Sequence, residues 1–487
     1  MSPFVQTHAR LSVALAAFAC AACVPHTELE VAPNIVSTHW SQAPAEPATA
    51  SPTGTAPVPA AGAMPADLGA AFHSAELSAL IARAASANTD VAIAGARIRQ
   101  ARALLRVARG AMLPVVSASA GETADQTRSS HTTNPFDFRN AFAGINISYD
   151  LDLFGAGRAQ GDAARSRLRA ALFDRDATLL VVQTEVARAY VQRATLAARI
   201  SILQRNITQA LELERIIRAR FTAGDATRVD LGLQTIQVRE LQTEGQRLEE
   251  ALDQTRTALA VLVGEEAPRF TLAPAALDSL SAPAIAAAQP GELVTRRPDI
   301  RAAEARIDAA GGDVRQARAA FFPQLTLSAG SLSQLSLGTP LATTISLGAG
   351  LLAPIFNRGR LRGNLEFSAA QQAESVELYR QVLLTSLAEV ENALSAVNRS
   401  GEREALLIDV VHEAQLTARL ARMQYVGGEA DFQHVLNAEQ SLTEAEDARA
   451  VALQERLEAA IDLFKALGGG ASEAGGGPMR RSQSAAR

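Results

Sequence analysis

Few residues in this chain are equipped for chemistry. Cys20 and Cys23, the only cysteines, stand three apart at the end of an apolar run. A redox Cys-x-x-Cys pair would need a thioredoxin-like strand and helix around it, and neither is readable there. As a processing site the picture is better: Ala21-Ala22 supply small residues directly before Cys23, and a freed N-terminal cysteine is open to acylation. Gly155-Ala156-Gly157-Arg158-Ala159-Gln160-Gly161 follows a strand pattern and opens a helix, as a dinucleotide-binding turn does. The strand ahead of it alternates instead of being apolar throughout, and the helix behind it is far too long for a βαβ unit. The seven histidines lack metal-ligand spacing such as His-Glu-x-x-His, and no nucleophile–base motif is readable. The sequence predicts no enzyme, no cofactor and no metal site.

The bulk of the chain narrows the classes further. A net charge of −5 over 487 residues argues against a nucleic-acid partner, which usually meets a basic face. His8 and Arg10 precede a run from Leu11 to Ala22 that is apolar except for Ser12, which reads as a secretory signal over residues 1–22. The Ala21-Ala22-Cys23 junction is similar to a bacterial lipoprotein cleavage site, with Cys20 where that pattern usually has Leu. Cys20, after Ala17-Phe18-Ala19, is a second candidate, and ordinary cleavage after Ala19 or Ala22 is the alternative. Val24 in place of Asp after the cysteine resembles lipoproteins sent to the outer membrane. Residues 23–66, rich in Pro, Ala, Ser and Thr, read as a lipidated tether with no core of its own. Trp40, the only tryptophan, is the residue that would dock it. Beyond the signal no run of about 18 apolar residues occurs, so any membrane is met by strands or by a lipid.

The elements that organise the rest begin at Ile145. From Ile145 to Leu153 apolar and polar residues alternate, giving a strand with one apolar face and one carrying Asn146, Ser148, Asp150 and Asp152. A very long helix follows. Steps of three and four from Leu179 pass through Val182, Val186, Ala189, Arg193, Leu196, Ile200, Leu203, Ile207, Ala210, Glu214, Ile217 and Phe221. This is a heptad seam with only Arg193 and Glu214 polar. At about 1.5 Å per residue a helix from Ala156 to Phe221 is roughly 100 Å long, so an elongated protein is expected.

The pattern then returns about two hundred residues later. Met112-Leu113-Pro114 recurs as Phe321-Phe322-Pro323, Leu153-Phe154-Gly155 as Ile355-Phe356-Asn357, and Phe221-Thr222-Ala223-Gly224-Asp225 as Tyr425-Val426-Gly427-Gly428-Glu429. Each copy predicts a helix (Thr89 to Met112; Asp299 to Phe321), two strands around a polar loop (Asp125 to Asn140; Ser333 to Thr343), a long helix (onward from Ala156; Arg358 to Gln424) and a returning helix (Arg228 to Val263; Asp431 to Leu467). The predicted divisions are 67–264 for the first repeat, 265–298 for a Pro- and Ala-rich connector, 299–467 for the second repeat and 468–487 for a flexible tail. Four strands of about ten residues match the length that crosses an outer membrane when tilted. Four cannot close a barrel, and an open edge in lipid leaves backbone groups unpaired, so closure needs other copies of the chain.

With these residues assembled, the chain resembles the TolC-like outer-membrane channels, closest to the lipoprotein branch that serves RND-type efflux pumps. The carrying motifs are Ser148-Tyr149-Asp150-Leu151-Asp152-Leu153-Phe154-Gly155, Arg296-Arg297-Pro298-Asp299-Ile300-Arg301-Ala302-Ala303-Glu304, Ala317-Arg318-Ala319-Ala320-Phe321-Phe322-Pro323 and the ending Leu463-Phe464-Lys465-Ala466-Leu467-Gly468. The resemblance spans about Asp67 to Gly470. It implies a mainly α-helical homotrimer whose twelve-stranded outer-membrane β-barrel continues into a long periplasmic helical barrel. It implies passive export of small molecules, with an inner-membrane RND-type pump and a periplasmic adaptor as partners. Adaptor contacts are implied at Gly224 and Asp225 and at Gly427, Gly428 and Glu429, where glycine also suits a tight turn.

The family often reads Leu-Asp-Ala-Gln-Arg just past the second turn. That Asp is implied to form an acidic ring at the closed tip, and that Arg to hold the helices together. This chain reads Leu436-Asn437-Ala438-Glu439-Gln440, so Asn437 takes the Asp position and Gln440 the Arg position, with Gln433 beside them as a gate candidate. Neutral amides in place of carboxylates remove local negative potential, though Glu429, Asp431 and Glu439 lie close enough in sequence to restore it. Arg228 and Asp230 are candidate partners in closing the tip, or charges that serve the helix start. A trimeric coiled-coil lipoprotein without a conduit, and an outlet for protein secretion, are the alternative readings.

Overall fold

A computed structural model describes residue 40 and residues 67–127, 136–273, 276–283, 290–336 and 340–470. The predicted signal, Cys23, most of the tether and the tail beyond Gly470 lie outside the described residues. The elements in order are α1 (Leu68–Ala71), α2 (Ala75–Ala87), α3 (Thr89–Gly110), β1 (Val115–Thr127), β2 (Phe136–Leu151), α4 (Ala156–Ala223), α5 (Arg228–Leu262), a 3₁₀ turn (Leu277–Ser279), α6 (Pro290–Arg296), α7 (Pro298–Ala319), β3 (Gln324–Ser336), β4 (Ala342–Leu352), α8 (Arg358–Gly427) and α9 (Phe432–Ala466). The chain divides into two compact units. One holds residues 96–173 and 302–381; the other holds Trp40 and the described residues of 67–95, 174–301 and 382–470.

In the first unit the strands form an antiparallel meander in the order β1-β2-β3-β4. The register puts Ile145 and Ile147 opposite Ser331 and Ala329, and these opposite Ile345 and Leu347. One face is therefore apolar, and it is exposed: Ile345 and Leu347 show 78% and 84% of their surface. The other face is polar, with the Thr326 hydroxyl donating to Asp150 Oδ1 at 2.6 Å. Among the described residues β1 and β4 pair with one neighbour each, leaving both sheet edges open. The predicted strand lengths need correction. The strands run 13, 16, 13 and 11 residues, and the predicted loops shrink accordingly. Backbone pairing continues past the point where apolar alternation stops, because a ladder needs N–H and C=O groups and not apolar side chains.

Below the sheet the same unit packs helices side by side. Leu105 and Ala108 of α3 meet Ala164 and Leu168 of α4. Arg169 of α4 donates to Asp308 of α7 at 2.8 Å, and Arg167 pairs with Asp313. Gly312 of α7 leaves no room for a Cβ, which would stand 2.8 Å from Ala163 Cβ. On α7's other side Gly311 faces Gln372 of α8. The helix order is thus α3-α4-α7-α8, matching the strand order. Asp152 starts α4 by accepting the backbone N–H of Gly157 at 3.1 Å and of Arg158 at 2.9 Å. Phe154 stacks on Phe322 with ring centroids 4.6 Å apart.

The second unit is built on the predicted seam. Val182, Val186, Leu196, Leu203, Ala210 and Ile217 of α4 are buried. Leu196, Leu203 and Ala210 pack with Val238, Leu241 and Leu248 of α5. The two polar seam positions find partners: Arg193 donates through Nη2 to the Ala273 carbonyl at 2.6 Å, although its Nη1 is buried without a hydrogen-bond partner among the described residues, and Glu214 accepts from Arg218 at 2.6 Å. Helices α1, α2 and α6 were not legible. Their short lengths carry little periodicity, and α2 rests on its Ser74 cap and on burial of Leu77 and Leu80. Trp40 packs against the cluster around Leu293, Val390, Leu394 and Leu463, as the docking expectation required. Arg297, only 7% exposed, ties that cluster together. It forks onto Asp299 at 3.1 and 2.7 Å, donates to the Ala466 carbonyl at 2.9 Å and meets Glu389 at 2.7 Å.

Candidate gate and partner-contact site

Both helix-reversing turns belong to the second unit and share one construction. At the first, Gly224 takes φ +88°, and Asp225 N–H returns to the Arg220 carbonyl at 2.8 Å. At the second, Gly428 takes φ +78°, and Glu429 N–H returns to the Gln424 carbonyl at 2.9 Å. Each is a left-handed glycine closing a helix C-terminus. The turn explains Gly224 and Gly428 by itself. It does not explain Gly427, the last residue of α8, which has no positive φ.

Under the turns a core of Leu213, Ile217, Ala421, Tyr425, Phe432 and Val435, with Leu231 of α5 packed against it, joins the ends of the four helices. Arg220 locks it. Its guanidinium donates to the Tyr425 and Val426 carbonyls at 3.3 and 3.1 Å and lies 4.6 Å from the Tyr425 ring centroid. A cation at the end of α8 also meets the negative pole of that helix. Arg220→Ala is expected to loosen this end by about 2 kcal/mol. The check is faster backbone amide exchange over 213–225 and 418–436, with the midpoint of global unfolding little changed.

The predicted gate residues divide into committed and free groups. Asn437 is exposed and accepts from Gln433 Nε2 at 3.0 Å. Gln440 donates to Gln237 of α5 at 3.0 Å, so an amide pair links the two returning helices. Asp230 belongs to a capping box with Thr227, which is the structural reading of that residue. Arg228 is exposed and makes no ion pair among the described residues. Of the three acids that would restore negative potential, Glu439 pairs with Arg422 and Asp431 caps α9 through His434 N–H. Glu429 alone projects from the turn, exposed.

Asn437 also lines an open groove of about 610 Å³ between α8 and α9, with Asp409, Glu413, Thr417, His434 and Ser441. Sequence reasoning missed Arg220, Arg422 and Gln237. Arg220 was legible as a basic residue in a last helical turn, whereas Arg422 and Gln237 depend on which helices are neighbours. Among the described residues no cluster of His, Cys, Asp and Glu is built to hold a metal ion.

The comparisons bear on this geometry. The family model described as outer membrane efflux protein matches residues 80–265 and 290–469. The pyoverdine export outer membrane protein OpmQ of Pseudomonas aeruginosa is 34% identical over 413 residues, covering 82% of this chain and 86% of that protein. The probable efflux pump outer membrane protein TtgC of Pseudomonas putida is 29% identical over 480 residues, covering 95% and 96%. The solved outer-membrane channel OprN superposes with a TM-score of 0.83 at 25% identity, covering 92% of this chain and 99% of that one.

Proposed function

The chain belongs to the outer membrane efflux protein family, and from that premise we propose how it works as the outer-membrane exit duct of an efflux system. Three copies close one twelve-stranded barrel, and their helices continue it as a tunnel into the periplasm. The observation that carries this reading is the four-stranded sheet, apolar and exposed on one face, polar on the other and open at both edges. In lipid such a sheet is tolerable only when closed on itself. The number three comes from the family resemblance.

In this reading 67–264 and 299–467 are two copies of one unit, 265–298 wraps the middle of the helices, and an acylated Cys23 with its tether adds a second anchor. Small molecules such as drugs or other toxic compounds pass without energy input, and the relatives' names fit that class. A periplasmic adaptor and an inner-membrane RND-type pump supply selection and drive. A strain lacking the gene should accumulate a fluorescent pump substrate, and the wild-type gene should reverse this. Unchanged accumulation across a panel of such substrates would contradict the reading.

The turns are the proposed adaptor contacts. Gly427 separates contact from folding, because its backbone is helical and a Cβ there meets only Glu429, at 3.9 Å or more. Gly427→Leu is expected to leave the fold intact and to cut efflux and adaptor co-purification. Gly428→Ala is instead expected to cost about 1 kcal/mol through its left-handed backbone. Equal efflux from Gly427→Leu and wild type would remove the contact role.

A further inference from the structure

Among the described residues lining the Asn437 groove, His434 alone can become a cation. No lysine or arginine lines it, whereas Asp409 and Glu413 both do. His434 precedes Asn437 by three residues, so the two share a face of α9. At about 1.5 Å per residue the imidazole stands roughly 4.5 Å nearer the turn. Its side chain is 72% exposed, so it fills no core. Asp431 holds it within its own helix end. The carboxylate accepts the His434 backbone N–H at 3.2 Å, and the same oxygen lies 3.2 Å from Nδ1. The cap uses the backbone N–H, so it does not need the ring.

Most other charges at this end are already engaged. On α8, Arg422 pairs with Glu439 of α9. Arg419, two residues and about 200° past the groove-lining Thr417, turns away from the groove. His412 meets Glu413 at 3.6 Å but does not line the groove. From α4, Arg220 is held on the Tyr425 and Val426 carbonyls, and Glu214 pairs with Arg218. From α5, Asp230 serves its capping box, and Arg228 is exposed. The turn adds Glu429, exposed. His434 therefore meets mainly negative charge: Asp431 beside it, and Asp409 and Glu413 along the same groove. Imidazole ordinarily changes charge between about pH 5 and 8, above the carboxylate range.

We propose that His434 is a second selectivity-determining residue of the gate, which makes the ion preference of the duct depend on pH. In the ring of copies it forms a circle of imidazoles one helical turn nearer the tip than Asn437. Protonated, these imidazoles offset the carboxylates of the groove and favour anionic solutes. Neutral, they leave the carboxylates to favour cations. The inference rests on the exit-duct reading and on Asn437 standing at the constriction.

The test is planar-bilayer recording of the full mature protein in a salt gradient, with reversal potentials read at about pH 8 and about pH 5.5. In the wild type the cation-to-anion permeability ratio is expected to fall at least about threefold on acidification, with a midpoint above the carboxylate range. His434→Gln keeps a polar side chain that takes up no proton, and it is expected to lose this step. His434→Lys is expected to hold the acid-side preference at both pH values. His412→Gln, outside the groove, is expected to keep the step. A wild-type ratio that does not move, a step that persists in His434→Gln, or one abolished by His412→Gln would overturn the role of His434 alone. A wild type that forms no conducting channel would overturn the exit-duct reading beneath it.

Discussion

Replacing Arg297 with alanine is expected to destabilise the protein by about 3 kcal/mol. The residue stands between α6 and α7 in the Arg296-Arg297-Pro298-Asp299 run, and its guanidinium is nearly buried. It gathers three separate pieces of chain: the start of α7 through Asp299, the end of α9 through the Ala466 carbonyl, and α8 through Glu389. Burial by itself would lower the arginine's pKa, but the carboxylates of Asp299 and Glu389 outweigh it and raise the value, so the side chain stays a cation. Alanine removes all of these bonds and leaves the Ala466 carbonyl without that donor. The cost stays moderate because Asp299 and Glu389 are each about 40% exposed and can turn to water. Lysine keeps the charge but not the planar fork, so Arg297→Lys should recover less than half of the loss. Denaturant unfolding checks both variants, and a change below about 1 kcal/mol for alanine would contradict the assigned role.

Placing a carboxylate at the proposed gate is expected to have the largest effect on conduction. Asn437→Asp would add one negative charge per copy at an exposed position facing a groove that already holds Asp409 and Glu413. In the proposed ring of copies these charges would act together at one constriction. An attraction of about 1 kcal/mol per added charge corresponds to a shift in cation-to-anion preference on the order of tenfold or more. Planar-bilayer recording should show weaker cation preference and weaker multivalent-cation block in the wild type than in Asn437→Asp. Strong divalent block in the wild type, unchanged by the substitution, would mean that Asp409, Glu413 or Glu429 sets the potential instead.

What the sequence made legible follows from how far each signal reaches along the chain. The seam of α4 spans many turns, so its buried positions, and even its two polar exceptions, were readable. The strands alternate cleanly at Ile145–Leu151 and Ile345–Leu351, so their faces were readable, but their ends were not, because pairing outlasts alternation. Helices α1, α2 and α6 are too short to show a period against a Pro- and Ala-rich background. At the proposed gate the residue positions follow from the family motif, whereas their partners do not. Gln440 finding Gln237 depends on a contact between helices far apart in sequence, and Glu439 finding Arg422 depends on the register of the α8–α9 hairpin.

The most direct test of the exit-duct account is single-particle imaging of the detergent-solubilised mature protein. The account predicts a threefold hollow cylinder, well over about 100 Å long given helices of this length, with a short barrel at one end and Asn437 at the constriction of the other. A compact monomer, or a helical bundle with no lumen, would contradict it and favour a structural coiled-coil lipoprotein.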